Sequence, residues 1–119
     1  MDGETIVLDT DGTVTTIDLP ADDRLTAMRT ALRCRLVDVV ALTNKLDMWL
    51  DDEGMYNHPV NPYATELARQ FGFVHQDYYG PVLLCAVTSD GDSVNLTTDQ
   101  SRAVRGQVRE ILASVGDLP

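Results

Sequence analysis

The hydrophobic and polar positions along the chain form short alternating runs that predict β-strands. "TIVLDTDGTVTTIDL" is rich in Val, Ile and Thr on both sides of Asp11-Gly12. An Asp-Gly pair supplies the positive φ angles that a two-residue hairpin turn requires. The stretch therefore predicts a β-hairpin with strands at Thr5–Asp9 and Thr13–Leu19. Further along, the nearly continuous apolar run "RLVDVVALT" predicts a buried strand.

Two later stretches also have the pattern of strands. In "LDMWLDDEG" the apolar side chains alternate with Asp47, Trp49 and Asp51, which predicts a second hairpin with one face in water. "GPVLLCAVT" is apolar almost throughout and predicts another buried strand. "SDGDS" predicts a turn, and "SVNL" predicts a short strand that returns from it.

Three stretches carry helical spacing or helix-starting residues. "LPADDRLTAMRTALRC" repeats apolar residues at helical spacing, and Pro20 suits the first turn of that helix. Asn61 is a favourable N-cap with Pro62 at the first helical position, and Thr97 with Gln100 has the spacing of a capping box. The order β-β-α-β-β-α-β-β-α favours an α+β fold, in which a mainly antiparallel sheet of hairpins carries three helices packed on one face.

Length and charge exclude several classes of function. The chain has 119 residues, which predicts one domain over residues 1–119. Its net charge of −10, most of it between residues 36 and 96, argues against direct binding to nucleic acid, which needs a basic surface. No apolar run reaches the roughly 18 residues of a membrane span, and the acidic start lacks the basic region of a signal peptide. We therefore expect a cytoplasmic protein without a membrane partner.

The cysteines and the acidic run do not predict a metal site. Cys34 and Cys85 lie far apart and form no C-x-x-C pair, so we expect two reduced thiols. Asp51, Asp52 and Glu53 are successive residues at a strand end, and neighbouring side chains of a strand point to opposite faces. Because they cannot all converge on one ion, we expect a solvated acidic turn and neither a metal nor another cofactor.

"LDTDGTV", with Asp9 and Asp11, also resembles the nucleophile loop of the haloacid-dehalogenase-type phosphatases. That resemblance implies a Mg²⁺-dependent phosphohydrolase with Asp9 as nucleophile and Asp11 as general acid/base. Those enzymes place a helix after the nucleophile strand and a lysine well beyond the second motif. Here a strand pattern follows Asp11. "VVALTN" ends a strand in Thr43, as the second motif of those enzymes does, but the only lysine, Lys45, comes two residues after it. The phosphohydrolase is therefore the alternative hypothesis, since motif matches outside their structural context are often false.

Five short stretches follow one another in a fixed order from the middle of the chain onward. They are "DDEG" (Asp51–Gly54), "NPYAT" (Asn61–Thr65), "GPVLLCAV" (Gly80–Val87), "SDGDS" and "LTTDQ" (Leu96–Gln100). This ordered set resembles an uncharacterised family of small domains of unknown function that is common in phages, plasmids and actinobacteria. The resemblance implies the same fold pattern and a mobile-element context, but it implies no activity.

These patterns predict a small acidic module that acts by binding a host or element-encoded protein rather than by catalysis. Aromatic residues in loops are frequent binding anchors, and "FGFVHQDYYGP" concentrates four of them. The candidate binding residues are Asp47, Trp49, Asp51, Asp52, Glu53, Asn61, Tyr78 and Tyr79. Two further hypotheses are a nucleotide-like ligand held by the aromatic rings and mimicry of DNA by the acidic surface. A homodimer is compatible with the same sequence.

Overall fold

A computed structural model describes residues 3–116, and its elements follow the predicted order with one short helix added. The strands are β1 (Thr5–Leu8), β2 (Val14–Ile17), β3 (Val37–Ala41), β4 (Leu46–Asp51), β5 (Val82–Val87) and β6 (Ser93–Val94). The helices are α1 (Arg24–Leu32), α2 (Gly54–Asn57), α3 (Pro62–Gln70) and α4 (Thr98–Gly116). The α+β prediction is confirmed.

The strands form one antiparallel sheet in the order β2-β1-β5-β4-β3, and β6 pairs with the end of β5. β1 and β2 pair from Thr5↔Ile17 to Leu8↔Val14. Gly12 has a φ of 88°, and the Asp9 N–H donates to the Thr13 carbonyl at 2.9 Å across the turn. The predicted N-terminal hairpin is therefore confirmed. The two-residue turn is wrong, because three residues lie between the bonded Asp9 and Thr13 and Asp11 does not adopt the positive φ that such a turn requires.

Helices cover both faces of this sheet, so the expectation that all three lie on one face is wrong. Ile6, Met48 and Leu84 face α3 and α4 and form the larger core cluster. Leu83 and Trp49 face the other way and belong to a second cluster with residues of α1. The physical reason is visible in β5, which is apolar at almost every position and therefore needs cover on both faces.

β3 lies at the edge of the sheet and is not the buried strand that its composition predicts. It pairs only with β4 among the described strands. None of its residues is fully buried, and Val39 keeps 40% of its surface exposed. An unbroken apolar run predicts a strand but does not distinguish an edge strand from a central one.

The helix starts show which capping predictions hold. The Asn61 Oδ1 accepts the Ala64 N–H at 3.0 Å, and Thr97 and Gln100 exchange both bonds of a capping box, so these two predictions are confirmed. Helix α1 instead begins at Arg24, four residues after Pro20, so the placement of Pro20 in its first turn is wrong.

Gly106 lies in the interior of α4, where a glycine would suggest that a neighbour packs closely. No atom lies within 4 Å of the position that a Cβ would occupy there. We therefore expect Gly106→Ala to raise the free energy of unfolding by about 0.5–1 kcal/mol, because alanine restricts the unfolded chain and favours the helix. Urea unfolding at constant m-value measures this change.

Gly80 provides the matched control for that substitution. Its φ is +81°, and a Cβ there would lie 2.7 Å from the His58 ring, so Gly80→Ala is expected to destabilise the fold. Equal effects of the two substitutions would contradict the assignment of Gly106 as an unconstrained helix position.

Candidate functional site

The described surface has a depression of about 350 Å³ at the end of the sheet where β4 stops and β5 starts. The residues that matter for its chemistry are Asp38, Asp51, Asp52, Asp77, Tyr78 and Tyr79. We call it the acidic depression. It joins part of the predicted acidic strand end to the predicted aromatic loop, which lie more than twenty positions apart in the sequence.

Three exposed carboxylates give the acidic depression its negative charge. Asp38, Asp52 and Asp77 form no ion pair with another described residue, and no lysine or arginine lines the depression. Glu53 lies beside it but is already paired, since Arg35 Nη2 is 3.0 Å from its Oε1. Among the described residues the negative charge of the site is therefore uncompensated, and a cationic group can neutralise it.

Apolar and aromatic surface adjoins these carboxylates. Met55, on the short helix α2, lines the depression and is 67% exposed, whereas its neighbour Tyr56 is 87% exposed but is not a lining residue. Tyr79 is half-buried and pairs with Val60, whereas Tyr78 is buried and burial raises the pKa of its phenol. Sequence reasoning missed Met55 and Tyr56, because a helix of four residues carries no periodic pattern.

Asp51 is buried, so the expectation that it is a solvated turn residue is wrong. Its side chain is fully covered, and its two oxygens accept hydrogen bonds from the Glu53 N–H at 2.8 Å and the Asn57 Nδ2 at 3.1 Å. His58 Nε2 lies 3.2 Å from Asp51 Oδ2, at ion-pair distance but without the alignment of a hydrogen bond. Asp51 thus holds the turn that leads from β4 through α2.

Asp47 and Trp49 lie away from the acidic depression, on the sheet face that α1 covers. Trp49 packs with the core cluster on that face, and Asp47 is half-buried and pairs across the sheet with Cys85. Burial raises the pKa of the Asp47 carboxyl. The expectation of a water-facing side of β4 is therefore wrong, since α1 covers it.

Cys85 and Cys34 differ in their access to reagents. Burial, together with the nearby Asp47 carboxylate, raises the pKa of Cys85 to about 12. Burial also raises the pKa of Cys34, although this thiol is only half-buried. At pH 8 Cys85 is therefore held in the thiol form, whereas the thiolate is the reactive form.

We expect a disulfide reagent at pH 8 to modify one thiol of the native protein slowly, and that thiol is Cys34. Cys85 is expected to react only after unfolding, and Cys34→Ser is expected to abolish the native-state reaction. Mass spectrometry of the labelled peptides measures both rates. Native-state labelling of Cys85 at a rate equal to that of Cys34 would contradict the burial argument.

Asn61 is buried and its amide is fully engaged with backbone groups. While Oδ1 caps α3, Nδ2 donates to the Leu8 carbonyl at 3.0 Å and to the Gly80 carbonyl at 2.9 Å. One side chain therefore ties β1, the start of α3 and the start of β5 together. It positions the loop that carries Tyr78 and Tyr79 and presents no polar atom to a ligand.

Asp9 and Asp11 form the ends of the hairpin turn. Burial alone would raise the pKa of Asp9, but hydrogen bonds from Arg33 and from the Thr10 N–H lower it. The Thr13 N–H donates to Asp11 at 2.9 Å, and bonds from Thr13 lower the pKa of Asp11. A strand follows this loop and returns antiparallel, so the strand–helix topology implied by the phosphatase resemblance is wrong.

Two features are absent from the residues that the structure describes. Across residues 3–116, no group of three or more His, Cys, Asp and Glu side chains is arranged to hold a metal ion. The same residues contain no helix with the length and apolar character needed to cross a bilayer.

The family model of a domain of unknown function, DUF3846, matches residues 3–109. The chain belongs to this family. The match includes all the residues of the acidic depression and confirms the resemblance to an uncharacterised family of small domains. No curated protein and no solved structure matches the chain.

Proposed function

We propose that this DUF3846 domain is a binding module that takes a protein partner at the acidic depression. The observation that carries the proposal is the juxtaposition of the carboxylates of Asp38, Asp52 and Asp77 with the side chains of Met55, which is exposed, and Tyr79, which is half-buried. Aromatic and methionine side chains are enriched in protein interfaces. Carboxylates at the edge of such a patch provide specificity and speed of association.

The chemistry of the acidic depression favours a cationic protein segment over a nucleotide-like ligand. Carboxylates attract arginine and lysine, and the half-buried Tyr79 ring adds cation–π attraction. The same carboxylates repel phosphate groups, which disfavours the small-ligand hypothesis. The mobile-element context rests on the family resemblance alone and makes a host or element-encoded protein the proposed partner.

Charge reversal at exposed positions tests the proposal. The double variant with Asp52→Lys and Asp77→Lys reverses two of the negative charges of the acidic depression. Asp90→Lys with Asp92→Lys makes the same charge change at exposed positions beyond the opposite end of β5. Affinity capture from cells that carry the gene, quantified by mass spectrometry, compares the two. We expect that the wild type and the control retain the same partner protein. The amount retained by the first variant is expected to be at least about tenfold lower, which corresponds to a loss of about 1.4 kcal/mol of binding free energy.

Two results would contradict this function. Equal retention by both double variants would exclude the acidic depression as the binding surface. An added mass of a few hundred daltons on the natively purified chain, lost with Asp52→Lys and Asp77→Lys, would indicate a small ligand in place of a protein.

A further inference from the structure

The outer edge of β3 presents backbone hydrogen-bonding groups that no described strand pairs with. The Leu36 carbonyl accepts a hydrogen bond from the Asp52 N–H, and the Leu42 N–H donates one to the Leu46 carbonyl. In an antiparallel ladder such bonds recur at every second residue, so Asp38 and Val40 also bond to β4. The N–H and C=O groups of the alternate residues, Val37, Val39 and Ala41, therefore point outward, where no strand of the described chain lies.

One side chain links this free edge to the acidic depression. The Asp38 carboxylate accepts the outward Val39 N–H at 2.8 Å. Asp38 also lines the acidic depression and has no cationic partner among the described residues. The Asp38 carboxylate therefore occupies the Val39 N–H, which is the central outward donor of β3. Charged side chains on edge strands commonly prevent unspecific pairing with other strands.

We propose, on the basis of the proposed function, that the partner segment is an extended, basic strand that adds to the sheet along β3. Strand addition to a free edge is a recurrent mode of peptide recognition. An arginine or lysine opposite Asp38 draws its carboxylate away and releases the Val39 N–H for a main-chain bond. Asp38 thus selects basic segments, because a neutral or acidic strand leaves the Val39 donor occupied.

The ladder pattern fixes which residues of the partner face which residues of β3. Asp38 does not bond outward, so its partner residue occupies a non-hydrogen-bonded pair, where side chains approach most closely. The partner residue opposite Val39 bonds through its main chain and lies on the sheet face of Trp49, which pairs with Val39. Alternation of basic and apolar residues in the partner therefore matches this edge.

Charge favours such a partner over a second copy of this chain. Each copy carries a net charge of −10, so two copies repel one another as they approach. A basic segment is attracted by the same field and meets Asp52 and Asp77 near the end of β4.

Synthetic peptides test the proposed mode directly. The probe is a capped octapeptide with four Val-Arg repeats, and its matched control has Glu in place of each Arg. Titration calorimetry at physiological salt gives the affinities, and Trp49, the only tryptophan, reports edge occupation by fluorescence. We expect the Arg peptide to bind at least about tenfold more tightly than the Glu peptide, which corresponds to about 1.4 kcal/mol. Equal affinity, or binding of neither peptide, overturns the proposal.

N-methylation of the peptide separates strand pairing from simple charge attraction. Methyl groups on the valine nitrogens remove the N–H groups that face β3 and are expected to weaken binding at least about tenfold. Methyl groups on the arginine nitrogens lie on the far edge and are expected to leave the affinity nearly unchanged. Equal effects of the two methylation patterns overturn strand addition.

Two protein variants complete the test. Val39→Pro removes the outward N–H without touching a bond to β4, and proline is tolerated at such edge positions; we expect it to weaken binding of the Arg peptide at least about tenfold. Asp38→Ala is expected to reduce the preference for the Arg peptide over a Val-Ser peptide, while Asp52 and Asp77 keep a smaller preference. Unchanged binding by Val39→Pro, or an unchanged preference in Asp38→Ala, overturns the proposal.

The natural partner distinguishes failure of strand addition from failure of the binding function. If its capture falls with Asp52→Lys and Asp77→Lys but not with Val39→Pro, the depression binds it and strand addition is wrong. If neither change matters, both proposals fail. A wild-type dimer that Val39→Pro dissociates would identify a second copy, and not a basic segment, as the occupant.

Discussion

Asn61→Ala is expected to lower the free energy of unfolding by about 2–4 kcal/mol. The substitution removes the cap of α3, which contributes about 1 kcal/mol in typical proteins. It also leaves the Leu8 and Gly80 carbonyls without the Nδ2 donor inside a region that excludes water, and each lost partner of a buried polar group costs about 1–3 kcal/mol. Small domains have total free energies of unfolding of about 5–15 kcal/mol. The Asn61 side chain therefore accounts for a large fraction of the stability of the fold.

Asn61→Ser separates the two contributions. Serine keeps an oxygen for the Ala64 N–H but cannot reach both carbonyls, so we expect most of the loss to remain and about 1 kcal/mol to be recovered. Thr97→Ala removes an exposed cap of α4 and measures how much free energy of unfolding is lost when an N-cap alone is removed. Urea unfolding of the three variants makes the comparison. A loss for Asn61→Ala no larger than that for Thr97→Ala would show that the two carbonyl bonds contribute nothing.

The parts of the fold that sequence reasoning predicted are those that depend on local chemistry. The N-terminal hairpin requires a positive φ at Gly12, which glycine adopts readily. The Asn61 cap and the box of Thr97 and Gln100 each close bonds across three residues. These features depend only on residues that are close together in the sequence, and the structure confirms all of them.

The parts that sequence reasoning missed depend on strand order. β1 pairs with β5, across more than seventy intervening positions, and this places β3 at the edge and β5 in the centre. Nothing in the local pattern of either strand encodes that pairing. The same order brings α1 onto the face that carries Asp47 and Trp49, which the alternation of β4 had predicted to face water.

The candidate site shows the same division. Asp52, Tyr78 and Tyr79 were predicted from charge and aromatic content, and the fold places them around one depression. Asp38 and Asp77 belong to it because of where β3 and the loop before β5 lie, which composition does not reveal. Asn61 and Asp51, which sequence reasoning offered as binding residues, are buried, and both hold backbone segments of the site in place.

Asp51→Lys and Asp52→Lys are expected to differ strongly, although the two acids are neighbours. Asp51 is buried with the Asn57 amide and His58 around its oxygens, so a lysine there places an unpaired cation beside the imidazole. Burial of an unpaired charge is one of the few single changes that destabilise a fold by more than about 3 kcal/mol. Asp52 is exposed, and substitutions of that kind usually change stability by less than about 0.5 kcal/mol.

Thermal and urea unfolding of the two variants, made in the same buffer, measure this difference. Asp51→Lys is expected to unfold at far lower urea concentration than the wild type, and Asp52→Lys is expected to unfold close to it. Equal stabilities would show that Asp51 is accessible to water and that its contacts with Asn57 and His58 are not maintained. The difference also determines how the binding surface must be tested: a loss of binding in Asp51→Lys reports unfolding, whereas a loss in Asp52→Lys reports the surface.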